Sequence, residues 1–124
     1  MKKLYLLVPI FALLLTACTK RDYIPAEVNV REWMRTHDHG VVAFVDYSTG
    51  NYIVETYNGY SVIEIWDGTS PIEYDDEYAY FNSRGIQTIY NHSGDYFTKG
   101  RVVESWLTWN EAMFIIEDLR YNKY

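Results

Sequence analysis

The chain has 124 residues, with 17 acidic side chains against 11 basic ones, a net charge of −6 and one cysteine. That length makes one domain. The acidic balance excludes a nucleic-acid footprint, which is basic, and a lone cysteine excludes both an internal disulfide and a cysteine-rich metal site.

Residues 1–17 read MKKLYLLVPIFALLLTA. Lys2 and Lys3 open the segment, an apolar run over 4–15 is broken only by Pro9, and the small residues Thr16 and Ala17 follow. Charge, length and order are those of a secretory signal. The run is about 12 residues, against roughly 20 for a bilayer span, so no transmembrane helix is expected.

Leu15-Thr16-Ala17-Cys18 then resembles the lipobox of bacterial lipoproteins. The resemblance covers residues 1–18. It implies cleavage after Ala17, a diacylglycerol on the Cys18 thiol and acylation of the new amine. Two or three acyl chains anchor stably where one is marginal. Thr19 stands where an Asp retains Gram-negative lipoproteins in the inner membrane, which implies the outer membrane. Lys20 and Arg21 precede Asp22, a departure from the acidic tract of surface-exported lipoproteins, so the periplasmic face is expected.

The expected mature chain, 18–124, keeps 9 basic residues against 17 acidic ones, a net −8. This suits solubility and is also compatible with a cationic partner. It carries 12 tyrosines and 4 tryptophans, types that fit half-buried strands and binding surfaces alike.

Residues 18–25 read as a lipidated tether, with Pro25 blocking any helix through it. The domain then runs over 26–124. Asn29, with Glu32 three residues on, predicts a short capped helix near 30–37 that turns Trp33 and Met34 to the core and stops at Gly40. VVAFVDY, 41–47, is apolar on both faces and predicts a central strand, with a turn over 48–51.

Asn58-Gly59 between NYIVETY and YSVIEIW predicts a two-residue type I′ hairpin. In that register Thr56 faces Ser61, Val54 faces Ile63 and Tyr52 faces Ile65 on a core face. The second face, with Glu55, Tyr57, Tyr60, Glu64 and Trp66, should be wetter.

An acidic loop over 67–76 follows, then strands over 77–81 and 86–90, an ambiguous stretch over 96–100, and a strand over 101–107. Thr108 and Glu111 form a capping box before an apolar 3.6-residue repeat. It predicts a helix over 109–120 with Trp109, Ala112, Met113, Ile116 and Leu119 on one face.

The expected fold is α+β and mainly antiparallel β. It is either a small meander sheet or a partly open barrel of the SH3-like or OB-like kind, with a C-terminal amphipathic helix.

Three groups of residues could carry chemistry. His37, Asp38 and His39, with His92, could ligate zinc, although histidine at a helix end is also favoured by the dipole. Glu73, Asp75, Asp76 and Glu77 could bind calcium, but lack the D-x-D-x-D-G order. Glu55 and Glu64 could act as a glycosidase pair, but sit on adjacent strands. A solvated surface is the simpler account of each. No nucleophile elbow, phosphate loop, H-E-x-x-H or C-x-x-C is present, so no catalytic residue, metal or cofactor is expected.

The candidate partner contacts are Tyr57, Tyr60, Trp66 and Phe114. Phe114 falls off the apolar stripe of its helix, so it is either covered by the 26–36 segment through Trp33 or offered to a partner. The expected function is a lipid-anchored binding module of the cell envelope that takes a protein, peptide or glycan. The alternative is a small acidic immunity or exclusion lipoprotein that inhibits a basic toxin or effector.

Overall fold

The computed structural model describes residues 28–121. The expected signal, Cys18 and the tether lie outside the described residues. Helix α1 (Val30–Thr36) leads into strands β1 (Asp38–Val45), β2 (Tyr52–Thr56), β3 (Gly59–Asp67), β4 (Asp76–Ala79), β5 (Gly85–Asn91) and β6 (Tyr96–Leu107), followed by helix α2 (Trp109–Tyr121).

The strands close into an antiparallel barrel in the order β1-β2-β3-β6-β5-β4. Two three-stranded meanders, β1 to β3 and β4 to β6, are joined by β3 against β6 and by β4 against β1. Gly40 sits at the seam, opposite Thr56 on one side and Glu77 on the other. Of the sheet and the barrel that the sequence allows, the barrel forms, and its closure removes the exposed edges a flat sheet would keep.

Gly40 does not end α1, as its sequence context suggests. It lies inside β1, which starts at Asp38. A Cβ there would come within 2.2 Å of the Val54 side chain and 3.1 Å of the Phe81 ring. The glycine lets the strands approach across the seam. The same reason places Gly100 inside β6, where a Cβ would meet Ile63 at 2.6 Å. The ambiguous 96–100 stretch and the 101–107 strand are therefore one 12-residue strand.

The β2–β3 hairpin is offset by two residues from the expected register: Thr56 pairs with Gly59, Val54 with Ser61 and Tyr52 with Ile63. A type I′ turn needs positive φ at both Asn58 and Gly59, and of the two only Gly59 takes it, at 115°. The turn residues are Tyr57 and Asn58. The Thr56 hydroxyl accepts from Asn58 N at 3.1 Å and donates to Gly59 O at 3.0 Å. A shift of two keeps the faces, so Tyr52, Val54 and Ile63 still point inward.

Inside the barrel these three pack with Val42, Val45, Phe81, Ile89 and Val102. Val42 and Val45 both reach the interior because β1 carries a bulge between Val42 and Phe44. The hairpin's second face is not wet along its length. Ile53 and Val62 are fully buried there beneath Ala112, Ile116 and Leu119 of α2. Burying each such side chain contributes about 1.5–3 kcal/mol.

The capping box forms as expected: Glu111 N donates to Thr108 Oγ1 at 3.2 Å, and Thr108 N donates to Glu111 Oε1 at 2.9 Å. At the far end of α2, Arg120 Nε meets Asp46 Oδ2 at 3.0 Å and pins the helix to the β1–β2 turn.

Candidate functional site

The acidic run after β3 disperses into four separate tasks. Glu73 accepts from Val45 N and from the Tyr47 hydroxyl, both at 3.0 Å. Asp75 accepts from Asn91 Nδ2 at 2.9 Å, and Asp76 pairs with His39 Nε2 at 2.8 Å. Glu77 points into the barrel and is fully buried. Asp75 and Glu77 meet on the Asn91 amide, while Asp76 turns to His39 and Glu73 to the end of β1, so the four carboxylates do not gather at one point.

The histidines do not converge either. His37 Nδ1 donates to the Trp33 carbonyl at 2.8 Å, and its ring stacks on Trp33 at 3.8 Å. His92 lies against Tyr78 and Tyr90. Among the described residues no group of three His, Cys, Asp or Glu could hold a metal ion. Glu55 and Glu64 also part company. Glu64 Oε1 accepts from Arg101 Nε at 2.7 Å, while Glu55 stays exposed.

Sequence reasoning missed the buried carboxyl. Glu77 Oε1 accepts from the Tyr52 hydroxyl at 2.8 Å, and Oε2 accepts from Asn91 Nδ2 at 3.1 Å. Burial pushes its pKa up to about 7, the Tyr52 and Asn91 hydrogen bonds pull it down, and the Asp75 charge adds a further rise. Burial also holds the Tyr52 hydroxyl well above its ordinary value, so Tyr52 remains a donor.

The candidate partner contacts occupy three separate places. Tyr57, at the β2–β3 turn, is 93% exposed. Tyr60 is half-buried with its ring 5.2 Å from Trp109. Trp66, exposed, lies at the opposite end of β3. Phe114 is 73% exposed on the outer face of α2. The expected cover, Trp33, is engaged elsewhere: it donates from Nε1 to Tyr78 O at 3.0 Å and sets its edge against Phe97.

A further exposed aromatic, Trp106, is not singled out by the sequence. The β3–β6 register shifts between Tyr60 and Val62 and again between Val62 and Ile63, so β6 carries extra residues there. Trp106 is 66% exposed with φ at 60°. A bulky side chain in the left-handed region is a genuine outlier, and such strain is concentrated at functional sites.

At the barrel end where β1 begins, a groove of about 470 Å³ opens between β1 and the β2–β3 turn. Asp38, His39, Glu55, Tyr57, Asn58 and Asn82 line it. This volume lies within the usual range for a ligand site, roughly 300–1,000 Å³.

Among the described residues no helix is long and apolar enough to cross a membrane. Comparison with known protein families, with curated proteins and with solved structures finds no match to this chain.

Proposed function

We propose that this chain is a lipid-anchored, non-enzymatic binding module of the Gram-negative cell envelope, held by Cys18 at the periplasmic face of the outer membrane. The anchor rests on the resemblance of Leu15-Thr16-Ala17-Cys18 to a lipobox. The binding role rests on Trp106, a large aromatic held exposed on a left-handed backbone. Aromatic anchors on rigid scaffolds are what binding hot spots are made of, and a closed barrel is such a scaffold.

The charge favours a second reading, at the outer face of α2: an acidic immunity or exclusion lipoprotein that captures a basic toxin. Glu111 and Glu117 flank Phe114 at helical spacing. A cationic partner would be steered by that face.

One experiment tests both parts. Full-length wild type and Cys18→Ser are expressed in a Gram-negative host, fractionated, and cross-linked for partner capture. The wild type is expected in the membrane fraction with acyl mass on Cys18, and Cys18→Ser in the soluble periplasm. Wild type without acyl mass overturns the anchor. Trp106→Ala that cross-links as well as wild type overturns the Trp106 contact.

A further inference from the structure

We infer that the barrel end where β1 and β3 finish is seated on the phospholipid headgroup interface of the anchoring membrane, with Tyr47, Trp66, Ile72 and Tyr74 as its contacts. This deepens the anchor half of the proposed function and rests on it.

Antiparallel order decides which segments share that end. β1 and β3 run the same way with β2 between them, so both finish there, and β4 starts there against β1. Tyr47 follows the end of β1, and Trp66 lies one residue before the end of β3. Ile72 and Tyr74 lie on the loop that enters β4. All four are exposed, Ile72 at 61% and Tyr74 at 85%. The loop is tied to the barrel. Tyr74 N donates to Val42 O at 2.8 Å, Val42 N donates to Asp75 O at 2.9 Å, and Ser70 Oγ donates to Gly50 O.

The opposite end also carries exposed rings, Tyr57 and Trp106, so exposure alone does not choose between them. The course of the chain does. The His37 ring lies 4.2 Å from Tyr80. Trp33, one helical turn earlier, bonds to Tyr78 O and meets Phe97, the second residue of β6. Going back along α1 is therefore going back along β4, to the end where β4 starts. Residues 18–27, about ten of them, span at most roughly 35 Å. Along the chain, that end is the nearer one to a lipid on Cys18.

The charges choose the same end. A free carboxylate brought against lipid loses hydration without return. Here Asp46, Glu73, Asp75 and Asp95 each accept from a donor of the domain itself: Arg120, Tyr47, Asn91 and Tyr90. Asp67 remains, with Lys99 opposite it in the β3–β6 register. At the other end Asp38 and Glu55 stay exposed, and among the described residues neither makes a hydrogen bond or ion pair. Tyrosine and tryptophan join an apolar body to a polar tip, which suits headgroup depth. Lys99, with Lys20 and Arg21 of the tether, has the sign that lipid phosphates attract. Seated this way, the barrel turns Trp106 away from the bilayer, where a partner can reach it.

The test uses the full chain, acylated by its host and reconstituted in vesicles of phosphatidylethanolamine and phosphatidylglycerol. Part of the lipid carries bromine near the headgroup, which quenches a tryptophan only at contact range. Mass spectrometry first reads the acyl mass on Cys18. Quenching is expected in wild type, kept in Trp106→Phe and lost in Trp66→Phe. The double variant Ile72→Ser with Tyr74→Ser keeps the Trp66 reporter and should be quenched less. These side chains are exposed, so the variants should melt with wild type.

Quenching that survives Trp66→Phe overturns the inference, whichever tryptophan carries it. A double variant quenched as strongly as wild type overturns the loop contacts. An acylated chain with no quenching hangs free on its tether: the inference falls and the anchor stands. A chain without acyl mass overturns both.

Discussion

The Tyr52 hydroxyl donates to Glu77 Oε1 across 2.8 Å inside the barrel, joining β2 to β4 through the core rather than through a strand ladder. With Asn91 it leaves the buried carboxyl hydrogen-bonded but without a countercharge. This arrangement makes stability depend on pH near neutrality.

The folded pKa of Glu77, about 7, lies above its ordinary 4.5. Between those values the folded state binds the proton and the unfolded state does not, so stability falls as pH rises. The stabilising contribution is complete below about pH 4.5, is lost as pH rises through 7, and stays flat above. A shift of this size corresponds to on the order of 3 kcal/mol. Urea unfolding from pH 5 to 8.5 should show a falling midpoint for wild type and a flat one for Glu77→Gln. Tyr52→Phe removes a donor that favours the carboxylate and should move the midpoint of the fall upward. Parallel curves for wild type and Glu77→Gln would show that Glu77 does not control this range.

The acid side is governed by Asp46. Burial opposes its ionisation, but hydrogen bonds from Arg120 and Ser48 outweigh that, and its pKa falls to about 2. The folded value lies below the ordinary 3.8, so this contribution is complete above about pH 3.8 and is lost as pH falls through 2. Arg120→Met should lower stability near neutrality, by removing the cation that holds Asp46 ionised. The effect is less than for a fully buried pair because Arg120 is 40% exposed. The variant's deficit should shrink as the pH is lowered through this range, measured by thermal melts from pH 2 to 7.

What the sequence revealed was local. The Thr108/Glu111 box needs only residues three apart, and both of its bonds form. Alternation gave the inward face of the hairpin, with Tyr52, Val54 and Ile63, but not its register, because Asn58-Gly59 suits more than one turn. What stayed hidden depends on partners far along the chain. Gly40 reads as a helix stop until Val54 and Phe81 crowd it. In β4, hydrophobicity alone would bury Tyr78, yet Glu77 and Ala79 face the interior because Tyr52 and Asn91 are there to satisfy the carboxyl. The bulges that turn Trp106 outward leave no mark on the RVVESWL pattern. Of the groove, only Tyr57 was legible as a binding residue. In the sequence Asp38 and His39 look like metal ligands and Glu55 like half of a hydrolytic pair.

Phe114 separates packing from recognition. It is 73% exposed, so Phe114→Ser should change stability by less than about 0.5 kcal/mol, as surface substitutions do. Partner capture in the envelope cross-linking experiment should fall. Met113, its half-buried neighbour on the core side of α2, gives the contrast. Met113→Ser should lower the melting temperature clearly. A Phe114→Ser variant that melts as early as Met113→Ser would mean the ring is packed in solution.

Trp106 offers a prediction in which stability and function move in opposite directions. An L-residue in the left-handed region pays roughly 1–2 kcal/mol in steric strain. Glycine relieves that strain but gives back about 0.5–1 kcal/mol in unfolded-chain entropy. The ring is 66% exposed, so its removal forfeits little burial. Trp106→Gly should therefore stabilise the domain by about 0.5–1 kcal/mol, while Trp106→Ala, which keeps the strained φ of 60°, should not. If the strain is kept for recognition, both variants lose partner capture although one of them melts later. Parallel thermal melts and cross-linking of the two variants decide the matter. A glycine variant that is less stable than wild type would show that the tryptophan is retained for packing against its own barrel.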